Sequence, residues 1–541
     1  MREANNKKWY EYFAVAGTLL VTFFVCNLQM KNGAFLDSFH FGECFTSLTS
    51  ILHGGAGDNF LTIHGALDYI PGFVSVLLLG EHKHFFPTWF FYQVLGFFAA
   101  LMFVVLIGRL VRGRSHALSM LVGVSVLAPS LVGFREVLLI PAIYLYFAIQ
   151  EKKASSGRVF LEFLFGVLVA LNVFWSFDRG IAGAFALGVG CLIYAYRQRL
   201  YIIAFVSFFA TVLLLGFISP VFSPSAYIEN VIFLINTSAN WRYGWNGVTI
   251  SMVAFLGFVN ATAVWMLWSA LVKSKTLSVH LANASFLTLL AFLMFKIGSN
   301  RPDAVHVLMG LWVPLLIGFY WRSVNTESEP DFCTKAAFVI ITFGFLAANR
   351  LNPSFAFLAA FFILAAWSVF LSFFHITDVT RKTLIGLILL CVPFLIASRD
   401  ISLGAVRENY KWINYFGSLP YNSGIVPGGV HWTSREIVNS GAQCVFDLSN
   451  NGVINALTAL PTCTRFSYPV YADSRYESEI VNALRDKQPN AIVYSTTGWS
   501  YKINRKPMNI RFPVLDEFIM RNYAQEKCSL DYCVRYLRAQ P

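Results

Sequence analysis

Apolar runs long enough to cross a bilayer recur along this chain from residue 9 to residue 397, and they restrict its fold more than any other feature. Hydrocarbon offers no partner to a backbone N–H or C=O, so a run that crosses it must be an α-helix of about 20 residues that satisfies its own hydrogen bonds. Such runs lie near 9–30, 86–108, 116–132, 136–150, 159–175, 181–196, 200–219, 248–271, 279–296, 305–321, 336–349, 353–373 and 383–397. They predict a polytopic α-helical membrane protein with about 13 transmembrane helices. Only 13% of the residues are charged and 56% are hydrophobic. A soluble globular chain, with about a quarter of its residues charged, is thereby excluded.

The net charge of +12 is dispersed among the apolar runs and forms no single patch. We read it as topology and expect no nucleic-acid partner. Arg2, Lys7 and Lys8 precede the first run, which is too long for a signal peptide and lacks a small-residue cleavage site, so it reads as an uncleaved span starting in the cytoplasm. With the spans alternating from there, the proposed cytoplasmic segments hold 17 Lys and Arg against 8 in the longer opposite loops, as the positive-inside rule requires. An odd number of spans then places the C-terminus outside the cytoplasm.

Beyond about Arg399 the composition becomes that of a soluble domain. Strand-like 444–448 and 490–495 alternate with helix-like 451–460, 476–487 and 513–523, which predicts a small α/β domain over 399–541. The remaining 1–398 form the transmembrane domain, with a first outer loop at 31–85 that holds two short interfacial helices near 39–52 and 65–79. Cys444, Cys463, Cys528 and Cys533 all fall in the soluble domain, where an even number of cysteines in an oxidising compartment invites disulfides. Cys444 with Cys463 and Cys528 with Cys533 is one such pairing, which sequence alone does not decide. No phosphate-binding glycine loop, serine-hydrolase elbow or Cys-x-x-Cys metal motif is present.

The ionisable residues gather in the first outer loop. Leu36-Asp37-Ser38-Phe39-His40-Phe41-Gly42-Glu43 is followed by Asp58-Asn59-Phe60-Leu61-Thr62-Ile63-His64-Gly65. On the same side the topology places Arg135, the Asp178-Arg179 turn, Arg242, Lys296, Arg301, Asp303 and His306. Each has a structural reading beside a functional one: Asp37 can cap the helix that follows it, Glu43 and His40 can pair with each other, Asp58 can sit in a turn, and Arg301 can snorkel to the interface. Asp178 and Arg179 read as a local ion pair or cap, and Asp447 as a turn residue.

The Asp37-to-Glu43 element resembles the Asp-containing, Asp-Glu-x-His-like element that opens the first outer loop of the GT-C superfamily of membrane glycosyltransferases, in particular protein mannosyltransferases and their bacterial relatives. The later stretch from Asp58 to Gly65 resembles their second acidic motif, although Gly65 and Ala66 stand where those proteins carry prolines. The resemblance implies a GT-C fold and an inverting transfer of a monosaccharide from a polyprenyl-phosphate donor to a hydroxyl of a cell-envelope glycan or protein. Bacterial arabinofuranosyltransferases are among the relatives it brings in. It further implies a bacterial inner-membrane protein with its C-terminal domain in the periplasm.

That reaction needs a base for the acceptor hydroxyl and cations for the phosphate leaving group. Asp37 is the candidate base, and Arg301, His306, Lys296 and Arg242 are the candidate phosphate ligands. His40, Glu43, Asp58, His64 and Asp303 are candidates for holding sugar or acceptor. The sequence specifies no cofactor, and the mixed Asp/Glu/His set permits a divalent cation. A transporter or flippase of lipid-linked sugars, or a ligase using pyrophosphate-linked glycans, would draw on similar residues. Against transport, few ionisable groups lie near the bilayer midplane.

Overall fold

The computed structural model describes residues 15–23, 41–54, 60–111, 121, 124–125, 127–129, 131–151, 155–198, 201–218, 222–238, 247–272, 277–300, 304–324, 415, 425–449, 451–496, 502–503 and 506–538. The expected spans at 336–349, 353–373 and 383–397, and the expected domain boundary at 398–399, lie outside them.

Most of the apolar runs that fall within the described residues form helices close to their expected bounds. Two short helices of the first loop, α1 (Gly42–Leu52) and α2 (Ile70–Leu79), precede α3 (Phe85–Leu110). A 3₁₀ turn at Phe134–Glu136 leads into α4 (Leu139–Glu151), α5 (Ser156–Trp175), α6 (Phe177–Gln198) and α7 (Ile202–Ile218). After α8 (Pro224–Thr237) come α9 (Gly247–Val272), α10 (Leu277–Asn300) and α11 (Ala304–Val324). Among the described residues, Phe85–Leu110, Ser156–Trp175, Phe177–Tyr194 and Val279–Asn300 are long and apolar enough to cross a membrane. The 14 residues of α8 were not anticipated, because Ser225, Glu229, Asn230 and Asn236 break up its apolar pattern.

Aliphatic and aromatic side chains fill the space between these helices. Phe103 of α3 meets Trp312 of α11 edge-on at 6.1 Å, and Tyr146 of α4 packs on Phe286 of α10 at 5.1 Å. Small residues permit the closest approaches, as is usual where lipid supplies no hydrophobic drive between helices. A Cβ on Gly166 of α5 would strike the Ala204 carbonyl of α7.

The C-terminal part is an α/β unit. After α12 (Gly428–Asn439) come β1 (Phe446–Asp447), α13 (Val453–Thr458), α14 (Glu477–Lys487) and β2 (Ala491–Ser495). A short pair, β3 (Lys502–Ile503) and β4 (Lys506–Pro507), precedes α15 (Met508–Arg511), α16 (Pro513–Asn522), β5 (Tyr523–Ser529) and β6 (Tyr532–Leu537). The main sheet runs β1-β2-β6-β5, with β1 and β2 parallel and the other neighbours antiparallel. The β5–β6 hairpin was not expected, since Gln525-Glu526-Lys527 makes β5 too polar to read as a strand; it is the exposed edge of the sheet. Cys444 is joined to Cys463 and Cys528 to Cys533, the latter bond closing the hairpin.

The sheet unit sits directly on the first loop. Leu61 forms a parallel bridge with Phe466, its N–H donating to the Arg465 carbonyl at 2.8 Å while its carbonyl accepts from Ser467 at 2.9 Å. Helices α1 and α13 meet through glycine, because a Cβ on Gly452 would collide with Thr46 Oγ1 and the Gly42 carbonyl.

Candidate functional site

The described part of the first loop folds its acids inward. Glu43 lies in the first turn of α1 with 2% of its surface exposed. It pairs with His64, from the second polar stretch, and accepts a hydrogen bond from the Tyr471 hydroxyl of the sheet unit at 3.2 Å. The loop that carries His64 is clamped to the α5–α6 turn: Phe177 N–H donates to the His64 carbonyl at 2.7 Å, and Leu67 N–H to the Phe174 carbonyl at 3.0 Å. Gly65 is required between them, for a Cβ there would run into the Trp175 carbonyl.

Four residues beyond His64, Asp68 is 2% exposed and neither of its carboxyl oxygens has a hydrogen bond of ordinary geometry among the described residues. Tyr92 of α3 donates to its backbone carbonyl instead. Burial, reinforced by the neighbouring Glu43 and opposed by Arg135, pushes the Asp68 carboxyl up to about 8. That shift favours its protonated form at neutral pH. The buried Cys44 thiol beside it is also pushed up, by burial first and then by Asp68.

A second group of charges closes the same region. Glu136 is buried, accepts from Gly133 N–H at 2.8 Å and pairs with Arg179. Burial raises the Glu136 carboxyl, with the Arg179 charge opposing. Arg179 also reaches the Met309 sulfur at 3.0 Å, which sets the first turns of α11 beside the pair. Asp178 accepts from Ser176 Oγ and from Arg179 N–H, both at 2.8 Å. The cap expected for it is thus present, while the Arg179 guanidinium turns to Glu136. Arg135 is half-buried, with its guanidinium 5.8 Å from the Phe134 ring, and its charge acts on both Asp68 and Glu136.

The structure brings together two of the residues anticipated from sequence, Glu43 and His64; the His40 considered as a partner for Glu43 lies outside the described residues. His306 lies half-buried one helical turn before Met309, and Lys296 is exposed near the end of α10. A Cβ on Gly298 would touch the His306 carbonyl, so the ends of α10 and α11 are close. Asp37, His40, Asp58, Arg242, Arg301 and Asp303 lie outside the described residues. Asp68, Tyr471 and the Glu136–Arg179 pair were missed. The signal for Asp68 was its place in His64-Gly65-Ala66-Leu67-Asp68, read instead as the start of an amphipathic helix. Asp447 is the turn residue expected, accepting from Ser449 N–H at 2.6 Å and Asn451 N–H at 2.8 Å.

Chemically, the cluster offers two neighbouring carboxyls in unlike environments, one paired with the His64 imidazole and one pushed up to about 8 by burial, with an arginine close by. Such a set can accept or pass protons and hold an anion at its edge. Glu526, Cys528 and Cys533 also lie close together, but both sulfurs are in a disulfide and offer no thiolate to a metal.

No family model matches the sequence, and neither does any curated protein. The fold does have a solved counterpart. The crystal structure of ArnT from Cupriavidus metallidurans bound to undecaprenyl phosphate superposes over 97% of this chain and 97% of its own, with a TM-score of 0.51 and 12% sequence identity. That likeness shows the fold: this chain has the GT-C-type architecture of a helical membrane part followed by a C-terminal sheet unit.

Proposed function

We propose that the protein is an integral-membrane inverting glycosyltransferase that moves a monosaccharide from a polyprenyl-phosphate donor to an acceptor hydroxyl. The observation that carries this reading is the cluster of buried Glu43 and Asp68 with half-buried His64, enclosed by the first loop, the α5–α6 turn and the sheet unit, in a fold shared with a protein crystallised with undecaprenyl phosphate. Acids and imidazole concentrated at one end of a helical membrane bundle suit proton transfer and sugar hydroxyls far better than they suit packing.

In this scheme the acceptor oxygen attacks the anomeric carbon as the bond from that carbon to the phosphate oxygen breaks. The acceptor proton passes to the Asp37 carboxylate, and polyprenyl phosphate leaves with the bonding pair. Cations must meet the charge that grows on the phosphate. Arg301, His306, Lys296 and Arg242 are assigned that task, and the position of Arg135 next to the acids adds it to the set. Glu43, His64, His40, Asp58 and Asp303 hold sugar or acceptor hydroxyls.

We place the reaction on the extracytoplasmic face of a bacterial inner membrane, with the N-terminus in the cytoplasm, residues 1–398 forming the membrane domain and 399–541 the periplasmic one. Arabinofuranose or another pentose or hexose is the proposed sugar, and a cell-envelope glycan or a protein such as a pilin the acceptor. The test is Asp37→Asn in purified protein offered a set of polyprenyl-phosphate sugars. Loss of transfer with retained donor binding is expected; near-normal turnover would remove Asp37 as the base.

A further inference from the structure

Helix α8 (Pro224–Thr237) carries its polarity the wrong way round for a helix in water. Its buried residues, Asn230, Phe233 and Thr237, form one face. The opposite stripe, spaced i, i+4 and i+7, is Ile228, Ile232 and Ile235, which are 57%, 50% and 67% exposed. Protein occupies the polar side. Asn230 hydrogen-bonds Thr62, and Phe233 packs on the rings of Phe466 and Tyr476 at 5.3 and 5.2 Å. Glu229 pairs with Arg465, which also pairs with Glu479 of α14, and Arg475 donates to the Asn236 carbonyl.

The start of α8 is tied to the ends of membrane helices. The Tyr227 hydroxyl donates to the Val173 carbonyl of α5 at 3.1 Å, and its ring lies on Phe174 and Phe177, at the α5–α6 turn, at 4.9 and 5.2 Å. The end of α7, a few residues earlier in the chain, exposes Leu213, Leu214, Phe217 and Ile218. The isoleucine stripe therefore follows directly on a helix end whose apolar side chains face outward.

We propose that α8 lies in the membrane surface, with Ile228, Ile232 and Ile235 among the acyl chains of the bilayer and its polar face bound to the C-terminal sheet unit. Its occupant is lipid, because the stripe is aliphatic, uninterrupted and continuous with the exposed end of α7. Helix α8 then acts as a strap that holds the sheet unit, and with it Tyr471 of the Glu43 cluster, at a set height over the lipid. The proposal rests on the fold and does not depend on the glycosyltransferase reading.

Ile232→Cys tests it, in full-length protein labelled with a polarity-sensitive thiol-reactive fluorophore and placed in phospholipid nanodiscs. Gln525→Cys, on the exposed edge strand, serves as reference and the unsubstituted protein as blank. Lipid carrying a nitroxide near the headgroup end of its acyl chain should quench the Ile232 label several-fold more than the Gln525 label, and aqueous iodide should do the reverse. Equal iodide quenching at both sites would overturn the proposal. So would protection of the Ile232 label from both quenchers, which would put a protein surface on the stripe. Ile235→Cys reports on the same stripe if the first variant does not fold.

Discussion

Two polar clusters are buried at opposite ends of α4, and they differ in how their polar atoms are satisfied. At the far end, the Gln150 and Asn283 amides exchange hydrogen bonds at 2.8 and 3.0 Å, Asn283 also donates to the Tyr320 hydroxyl at 3.1 Å, and His280 meets that hydroxyl at 2.9 Å. This cluster holds neutral groups in a closed set of mutual bonds, as expected of groups that join helices in a membrane. At the near end lie Glu43, Asp68 and Glu136, three buried carboxyls, with Asp68 lacking an ordinary hydrogen bond among the described residues. Burying acids costs far more than burying amides. Their retention where three parts of the chain converge is what the proposed site rests on.

The largest effect separating the two clusters should come from Glu43→Ala, which takes their shared acceptor from the half-buried His64 and the buried Tyr471. We expect a stability loss of about 3–5 kcal/mol and loss of sugar transfer, read by thermal unfolding in detergent and by a transfer assay. Recovery of transfer in Glu43→Gln would show that the hydrogen bond matters and the charge does not.

Asp68→Asn comes next and has a pH signature. Between the ordinary Asp value of 3.8 and about 8, the unfolded chain loses the Asp68 proton while the folded protein keeps it. Wild-type stability therefore falls as pH rises through that window, by at most about 1.4 kcal/mol per pH unit, and levels off above it. The asparagine variant should gain on wild type in melting temperature between about pH 5 and about pH 8. A difference independent of pH would mean that Asp68 is ionised in the folded protein.

At the far end, Gln150→Leu strands part of Asn283 and should cost about 1–3 kcal/mol, while Gln150→Leu combined with Asn283→Leu should cost less than the single change. Transfer should persist in both. If either abolished transfer without unfolding the protein, the contrast between the clusters would fail. The smallest effect is expected of Arg465→Ala, whose partners Glu229 and Glu479 are themselves 44% and 42% exposed. It should lower stability by about 0.5–1 kcal/mol, an effect that added salt should shrink.

Much of the helical architecture was legible because bilayer crossing forces long apolar runs: 86–108 and 248–271 were expected where Phe85–Leu110 and Gly247–Val272 are found. Both disulfide pairs were among the options that cysteine number and compartment allowed. Helix α8 escaped notice because its isoleucines are interleaved with residues that bind the sheet unit, and β5 because an edge strand carries charge on both faces. The site was only partly readable. Glu43 and His64 stood out as ionisable residues in an apolar chain, but their pairing depends on Gly65 fitting against Trp175. The third partner, Tyr471, arrives from a unit more than four hundred residues away. Asp68 was hidden by proximity: no residue pattern tells a carboxyl turned into protein from one turned to water.

The central claim is tested most directly by supplying purified wild-type protein in proteoliposomes with polyprenyl-phosphate sugars and candidate acceptors, and measuring free polyprenyl phosphate together with glycosylated product. Release of one polyprenyl phosphate for each sugar transferred, with inversion at the anomeric carbon, is the predicted result. Intact donor crossing the bilayer with no polyprenyl phosphate released would contradict it and make the protein a transporter of lipid-linked sugar.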